Sequence, residues 1–281
     1  MHGVVDAHVH FWDPSVLRYP WLDALPALRH AFLPGAYAGS TVGAATERAV
    51  FVECNAEPAQ SRDEVAFAQR FADARPPVAA IVAFVDLAAG GAHAALDALV
   101  ESPLVKGVRQ NIQGQPAGFC LQPAFVGGVR EAGRRGLTFD LCATHDQLGD
   151  VVALVAASPD TRFVLDHCGK PAVRDRLFEA WARGMTALAA HANVACKISG
   201  LLTEAGPGWR DADLLPYVDH VVNVFGPTRV IYGSDWPVLT LAGRHDDWLG
   251  FTRRFTAGWR DGERDAFYHD NAVRTYALPS A

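Results

Sequence analysis

Val4-Val5-Asp6-Ala7-His8-Val9-His10 lies near the start of a 281-residue chain and reads as a β-strand that delivers two histidines. Side chains two apart on a strand point the same way, so His8 and His10 project together from one face near its C-terminal end. Two neutral imidazoles held on a rigid element make half of a divalent-metal site, or a pair of proton carriers. Alone, the pattern is a weak signal. Its meaning depends on what the rest of the chain builds around it.

Working outward, this strand is placed at Val4–His8, and seven more short runs rich in Val, Ile, Leu or Phe follow it. They are Ala49–Glu53, Val78–Val85, Val105–Arg109, Leu137–Cys142, Arg162–Asp166, Val194–Ile198 and Arg229–Gly233. Runs apolar on both faces suit a parallel sheet covered by helices. Helices are predicted between them at Pro58–Ala74, Pro123–Arg135, His145–Ala157 (N-capped by Thr144), Arg174–His191 and Asp211–Phe225, with two more in Asp246–Tyr276. Eight strands alternating with helices predict an α/β fold, a (β/α)8 TIM-type barrel, for which ~250 residues is typical. One domain is expected over residues 1–281. The irregular segment Trp12–Gly43, with Pro14, Pro20, Pro26 and Pro34, is expected to form a lid over the end of the first strand.

Composition narrows the function. Half the residues are hydrophobic, which allows a large core, and the formal net charge of −6 argues against a nucleic-acid partner. The longest uncharged apolar run, Pro76 to Val85, falls short of the ~20 residues a bilayer requires, so no membrane association is expected. No basic n-region opens the chain. Its five scattered cysteines, with no C-x-x-C pair, fit buried free thiols, and a cytoplasmic setting is expected. The number of chains in the native assembly stays open.

Such barrels do chemistry where the strands end. The residues found there are His8 and His10, then Glu53, Asp86, Arg109 and Gln110. Strand five offers Asp140 or the more distant His145. Asp166, His167 and Lys170 follow strand six, Lys197, Ser199 and Glu204 strand seven, and Ser234, Asp235 and Trp236 strand eight. No G-x-G-x-x-G, P-loop, G-x-S-x-G or H-E-x-x-H pattern occurs, which leaves dinucleotide, nucleotide and serine-hydrolase readings without support.

His8-Val9-His10, Asp166-His167-Cys168-Gly169-Lys170-Pro171 and Tyr232-Gly233-Ser234-Asp235-Trp236-Pro237, taken in order, resemble the amidohydrolase superfamily. More narrowly they look like its "amidohydrolase 2" branch, which contains sugar-lactone and pyrone-dicarboxylate lactone hydrolases. Phe11-Trp12-Asp13-Pro14, Tyr19-Pro20-Trp21-Leu22 and Lys106-Gly107-Val108-Arg109-Gln110 are similar to the sugar-lactonase subgroup. The resemblance implies that His8 and His10 are metal-type ligands, joined by Asp235 or His167. It also implies catalytic roles for His167 and for Asp235, the aspartate that activates water. Two departures disfavour a two-metal site: strand four ends in Arg109, a cation, and strand five has no histidine at its end. A mononuclear site remains, or one that has lost its metal.

Opening a lactone requires an activated water, stabilisation of the oxyanion and protonation of the departing alkoxide. One divalent ion, zinc being the expected one, would ease the first step; without it the imidazoles and Arg109 can carry the developing charge, so a metal-free route is physically reasonable for an activated ester and whether metal is needed stays open. Arg109 either pairs with Glu53 or Asp86, or binds substrate oxygen. Lys170 either reaches inward or sits on the rim. Substrate contacts are expected from Arg109, Glu53, Lys170, Trp21 and Trp236. The expectation is a hydrolase of a small-molecule sugar-acid lactone, such as L-fuconolactone or L-rhamnonolactone. The alternatives are a metal-dependent decarboxylase of an aromatic acid and a hydrolase of a dicarboxylated pyrone lactone.

Overall fold

The computed structural model describes residues 3–40 and 46–279. Residues 41–43 of the expected lid, and the outermost residues of the expected domain, lie outside them. Eight strands pair in sequence order: β1 (Val4–Val9), β2 (Thr46–Val52), β3 (Val78–Phe84), β4 (Val105–Arg109), β5 (Thr138–Leu141), β6 (Arg162–Leu165), β7 (Val194–Ile198) and β8 (Val230–Tyr232). Every pairing is parallel. The ring closes beyond β8, where Asp235 N donates to His8 O at 2.9 Å and His10 N to Trp236 O at 2.8 Å. This is a (β/α)8 barrel. Among the described residues no helix is long and apolar enough to cross a membrane.

Val5, Ala7, Val50, Val52, Ala80, Val82, Val164 and Ile231 form one buried cluster with Ala272, Tyr276 and Leu278 from the C-terminal segment. That segment therefore plugs the floor of the ring. A second cluster packs the strands' other faces against the helices. The helix Asp211–Phe225 has the expected bounds, whereas Pro58–Ala74 becomes a 3₁₀ turn, Pro58–Gln60, and a helix, Ser61–Gln69. Arg174–His191 narrows to Phe178–Ala189. The stretch expected to hold two C-terminal helices begins with His245–Phe255 and ends in three short pieces over Asp261–Thr275. Short turns, Pro20–Ala24, Pro26–Leu28 and Pro34–Ala38, make up the irregular segment after β1.

Simple alternation would put Asp6, His8 and His10 on one face of β1. The register with β2 instead shifts between Asp6 and Val9. Asp6 turns away to Tyr37 Oη (2.7 Å) and the Ser234 amide (2.8 Å), while His8 and His10 meet each other and the barrel's polar interior. Asp6 thereby ties the strand that carries the histidines to the loop that carries Asp235.

Candidate active site

Four side chains converge above the barrel's apolar floor. His8 Nε2 lies 3.2 Å from His10 Nε2, and Asp235 Oδ1 lies 3.4 Å from His10 Nε2 and 3.8 Å from the Nε2 atoms of both His8 and His167. All four are buried. His8 fits only because residue 233 is glycine, where a Cβ would come within 2.9 Å of the His8 Cβ. Gly200, at φ 67°, does the same for the His167 ring, which a Cβ there would meet at 2.6 Å.

The backbone is unusual at this end of the ring. Of seven described non-glycine residues with positive φ, five stand here: Asn55, His167, Cys168, Lys170 and Asp235. Left-handed conformations cost energy for such residues and concentrate where a site over-determines them.

Each ring is oriented from behind. His10 Nδ1 donates to the Val52 carbonyl at 2.8 Å, His167 Nδ1 pairs with Ser199 Oγ at 2.9 Å, and His8 Nδ1 lies 3.2 Å from Asp166 Oδ1. A neutral His10 that donates through Nδ1 has a bare Nε2. That is how metal-ligating imidazoles are usually held, with the second nitrogen bonded to a carbonyl or carboxylate. Ligand atoms of His8, His167 and Asp235 all fall within 4.8 Å of one another. The 3.2 Å between His8 and His10 also matches the edge of roughly 3.3 Å that zinc–nitrogen bonds of about 2.0–2.1 Å give a tetrahedron. Charge points the same way. Buried Glu53, Asp140, Asp166 and Asp235 outnumber buried Arg109 and Lys197 by two negative charges. The donor set suits one divalent ion.

Burial pushes His167 down to about 4 and His8 well below the ordinary histidine range, so both rings are neutral at neutral pH. Burial alone would raise the Asp235 carboxyl, but its histidine neighbours, His167 foremost, outweigh it and hold the group below its usual range. Asp235 is therefore ionised and a weak base.

A cavity of about 170 Å³ opens over this cluster, and His10, Trp21, Arg109, His167, Lys170 and Asp235 are among the residues that line it. Of the larger hollows elsewhere, those of about 640 and 450 Å³ contain no histidine, and one of about 490 Å³ holds a single histidine, His93, beside Glu131. Arg109 faces the cavity while bonded behind to Glu53 Oε1 (2.6 Å), Glu53 O (2.7 Å) and Asp166 Oδ2 (3.1 Å). Asp86, the other expected partner, meets Gln110 instead. Lys170 reaches the cavity wall and pairs with Glu204 at 3.2 Å. Trp21 lines the cavity with its indole N–H donated to Cys54 O at 2.7 Å.

Two expected substrate contacts stand outside the cavity's lining. Glu53 is fully buried, with Oε1 on Arg109 and Oε2 on the Asn55 amide, so it orients Arg109 and does not line the cavity. Trp236 is 3% exposed and packs edge-on against Phe11, Phe32 and Tyr37 at 5.4–5.9 Å, away from the cavity. His145 opens a capped 3₁₀ turn outside the cavity.

Several participants had no role in the sequence reading. Lys197 bridges Asp140 (2.6 Å) and Asp166 (3.0 Å), and the Tyr276 hydroxyl donates to Asp140 at 2.7 Å. Lys197 and Asp140 were visible as charges inside apolar runs. Tyr276 gave no signal, because nothing local marks a helix end that enters a barrel floor.

The family model described as amidohydrolase matches residues 5–278. An L-fucono-1,5-lactonase of Burkholderia multivorans is 32% identical over 98% of this chain and 96% of its own length. Another of that name, from Burkholderia ambifaria, is 34% identical over 88% of this chain and 86% of its own. Among solved structures, a zinc-bound amidohydrolase from Burkholderia multivorans superposes with a TM-score of 0.88 at 32% identity, covering 99% of this chain and all of that one.

Proposed function

The chain belongs to the amidohydrolase family, and from that premise we propose that it is a lactonase that hydrolyses the cyclic ester of a sugar acid. The observation that carries this reading is the meeting of His8, His10, His167 and Asp235 beneath a cavity whose wall includes Arg109 and Lys170. The relatives named L-fucono-1,5-lactonase favour a six-carbon aldonolactone of that kind.

Asp235 turns one oxygen to the three rings and has a second for a water proton. That water's oxygen bonds to the acyl carbon, and the ring C–O bond breaks as the tetrahedral intermediate collapses. The departing alkoxide recovers the proton from Asp235, and the new carboxylic acid ionises to solvent. Arg109 is fixed by Glu53 and Asp166, so its positive charge meets the developing oxyanion without reorganising. Lys170 has further donors for substrate oxygens beside its Glu204 pair.

An ionised Asp235 below its usual range is a poor lone base. The chemistry that a divalent ion held by His8, His10, His167 and Asp235 supplies when bound is a water whose pKa falls from 15.7 toward about 7. Zinc bound in a relative 32% identical to this chain supports a divalent ion here. An aromatic-acid decarboxylase would need a flat apolar pocket, which a wall containing Arg109, Lys170 and Asp235 does not offer. Five free, buried thiols support a reducing, cytoplasmic setting.

A pH-indicator assay across six- and five-membered aldonolactones tests the proposal. Acid release on at least one of them, well above the spontaneous rate, is the expected result. Absence of release on the whole panel with zinc-loaded protein overturns it.

A further inference from the structure

A column of buried polar groups runs up from the barrel floor to the site. The Tyr276 hydroxyl donates to Asp140 Oδ2 at 2.7 Å, and Thr138 Oγ1 donates to Asp140 Oδ1 at 3.2 Å. Lys197 Nζ stands on the same carboxylate at 2.6 Å and reaches Asp166 Oδ1 at 3.0 Å. Asp140, Asp166, Lys197 and His8 are each 0% exposed. Nothing in the reaction described above uses Lys197, although a buried ammonium is costly to keep.

What distinguishes Lys197 is its third neighbour. His8 Nδ1 lies 3.3 Å from Lys197 Nζ and 3.2 Å from Asp166 Oδ1. An ammonium can only donate and a carboxylate can only accept. One ring nitrogen is thus served equally by a donor and an acceptor. On the other side of the ring, His8 Nε2 lies 3.2 Å from His10 Nε2, which is bare while His10 Nδ1 donates to Val52 O at 2.8 Å.

We propose that Lys197 is a positioning residue that lets His8 keep its ring proton on Nε2 when no metal is bound and on Nδ1 when one is, with both ring nitrogens of His8 partnered in both states. Without metal, His8 Nε2–H donates to His10 Nε2, and Lys197 donates to His8 Nδ1. With metal, both Nε2 atoms present lone pairs to the ion, and Nδ1–H donates to Asp166. The ring gains and loses no proton overall; its one N–H changes nitrogen. The ammonium keeps Asp140 and Asp166 as partners throughout. The site therefore avoids the unpaired ring nitrogen that metal loss would otherwise leave at His8. This rests on the metal site named under the proposed function.

Histidine ring ¹⁵N NMR of the full chain, read metal-free and after zinc addition, tests it. The expected result is a pyrrole-type Nε2 and pyridine-type Nδ1 at His8 without metal, exchanging types when zinc binds. In Lys197→Met, metal-free His8 is expected to hold its proton on Nδ1 already. Wild-type His8 protonated on Nδ1 in both states overturns the proposal, as does a metal-free Nε2–H that persists in Lys197→Met. Should that variant fail to fold, the wild-type comparison decides alone. Zinc bound by elemental analysis with His8 unchanged sinks the tautomer exchange but spares the metal site. No bound zinc sinks both, and the lactone panel still judges the reaction separately.

Discussion

Arg109 Nε lies 2.6 Å from Glu53 Oε1, and neither residue is more than 3% exposed. The pair joins the ends of β2 and β4 and aims the guanidinium at the cavity. Removing one partner of a buried pair strands the other's charge, at about 3–5 kcal/mol. Glu53→Gln keeps the shape and removes the charge. It should lower the melting temperature and reduce kcat/KM for the lactone at least about tenfold, the equivalent of 1.4 kcal/mol. Equal kcat/KM in the variant, measured by the indicator assay, would show that Arg109 is not aimed at the reacting oxygen.

Asp235→Asn should fold and fail to turn over. The amide is isosteric and cannot take the water proton, a contribution worth about 10²–10⁴-fold in rate. It also weakens one corner of the metal site, so zinc per chain should fall alongside kcat. Circular dichroism should match the parent. Near-normal kcat with full zinc would remove Asp235 from the chemistry.

Glu64, on the helix Ser61–Gln69, is buried and accepts the Cys54 amide at 2.9 Å. Burial, reinforced by nearby Glu53, raises its pKa from 4.5 to about 8. The folded chain then holds a proton that the unfolded chain has released between those values. Stability from this group is full below pH 4.5 and is lost as pH rises toward 8, on the order of a few kcal/mol. Glu64→Gln keeps the acceptor and cannot ionise. Its melting temperature should gain on the parent's by several degrees between pH 5 and pH 8; parallel curves would refute the burial argument.

Much of the barrel was legible because parallel strands are apolar on both faces, and the runs from Val4 to Tyr232 each became a strand. β2 begins at Thr46, three residues before the expected start, because Thr46, Glu47 and Arg48 carry no apolar signal where the strand is less covered. Adjacency to a run predicts height in the barrel and not direction. Glu53 and Trp236 stand at the right level yet point into the packing, whereas Arg109 and Asp235 point into the cavity. The shift between Asp6 and Val9 is likewise invisible in a pattern that alternates cleanly. Tyr276 acts on Asp140, 136 residues away along the chain, and Glu64 on Cys54, 10 residues away on the preceding loop, so no local spacing announces either.

Trp21 and Trp236 should separate in experiment, because only one of them touches the cavity. Trp21 lines it and is held there by its N–H bond to Cys54 O. Trp21→Phe keeps a ring and loses that bond, worth about 0.5–1.5 kcal/mol. The lost order should appear as a several-fold rise in KM for the lactone, with kcat and melting temperature nearly unchanged. Trp236 is packed among Phe11, Phe32 and Tyr37, and its amide donates to Ser234 Oγ at 3.0 Å. Trp236→Ala opens a void that costs about 3–5 kcal/mol. For a chain of this size that is a fall of roughly 6 °C or more in melting temperature. Asp235 precedes it on the same turn, so kcat should fall with the packing while KM moves little. A large KM effect at Trp236 with unchanged stability would place it in the cavity after all, and would mean that the loop after β8 turns its indole inward when substrate binds.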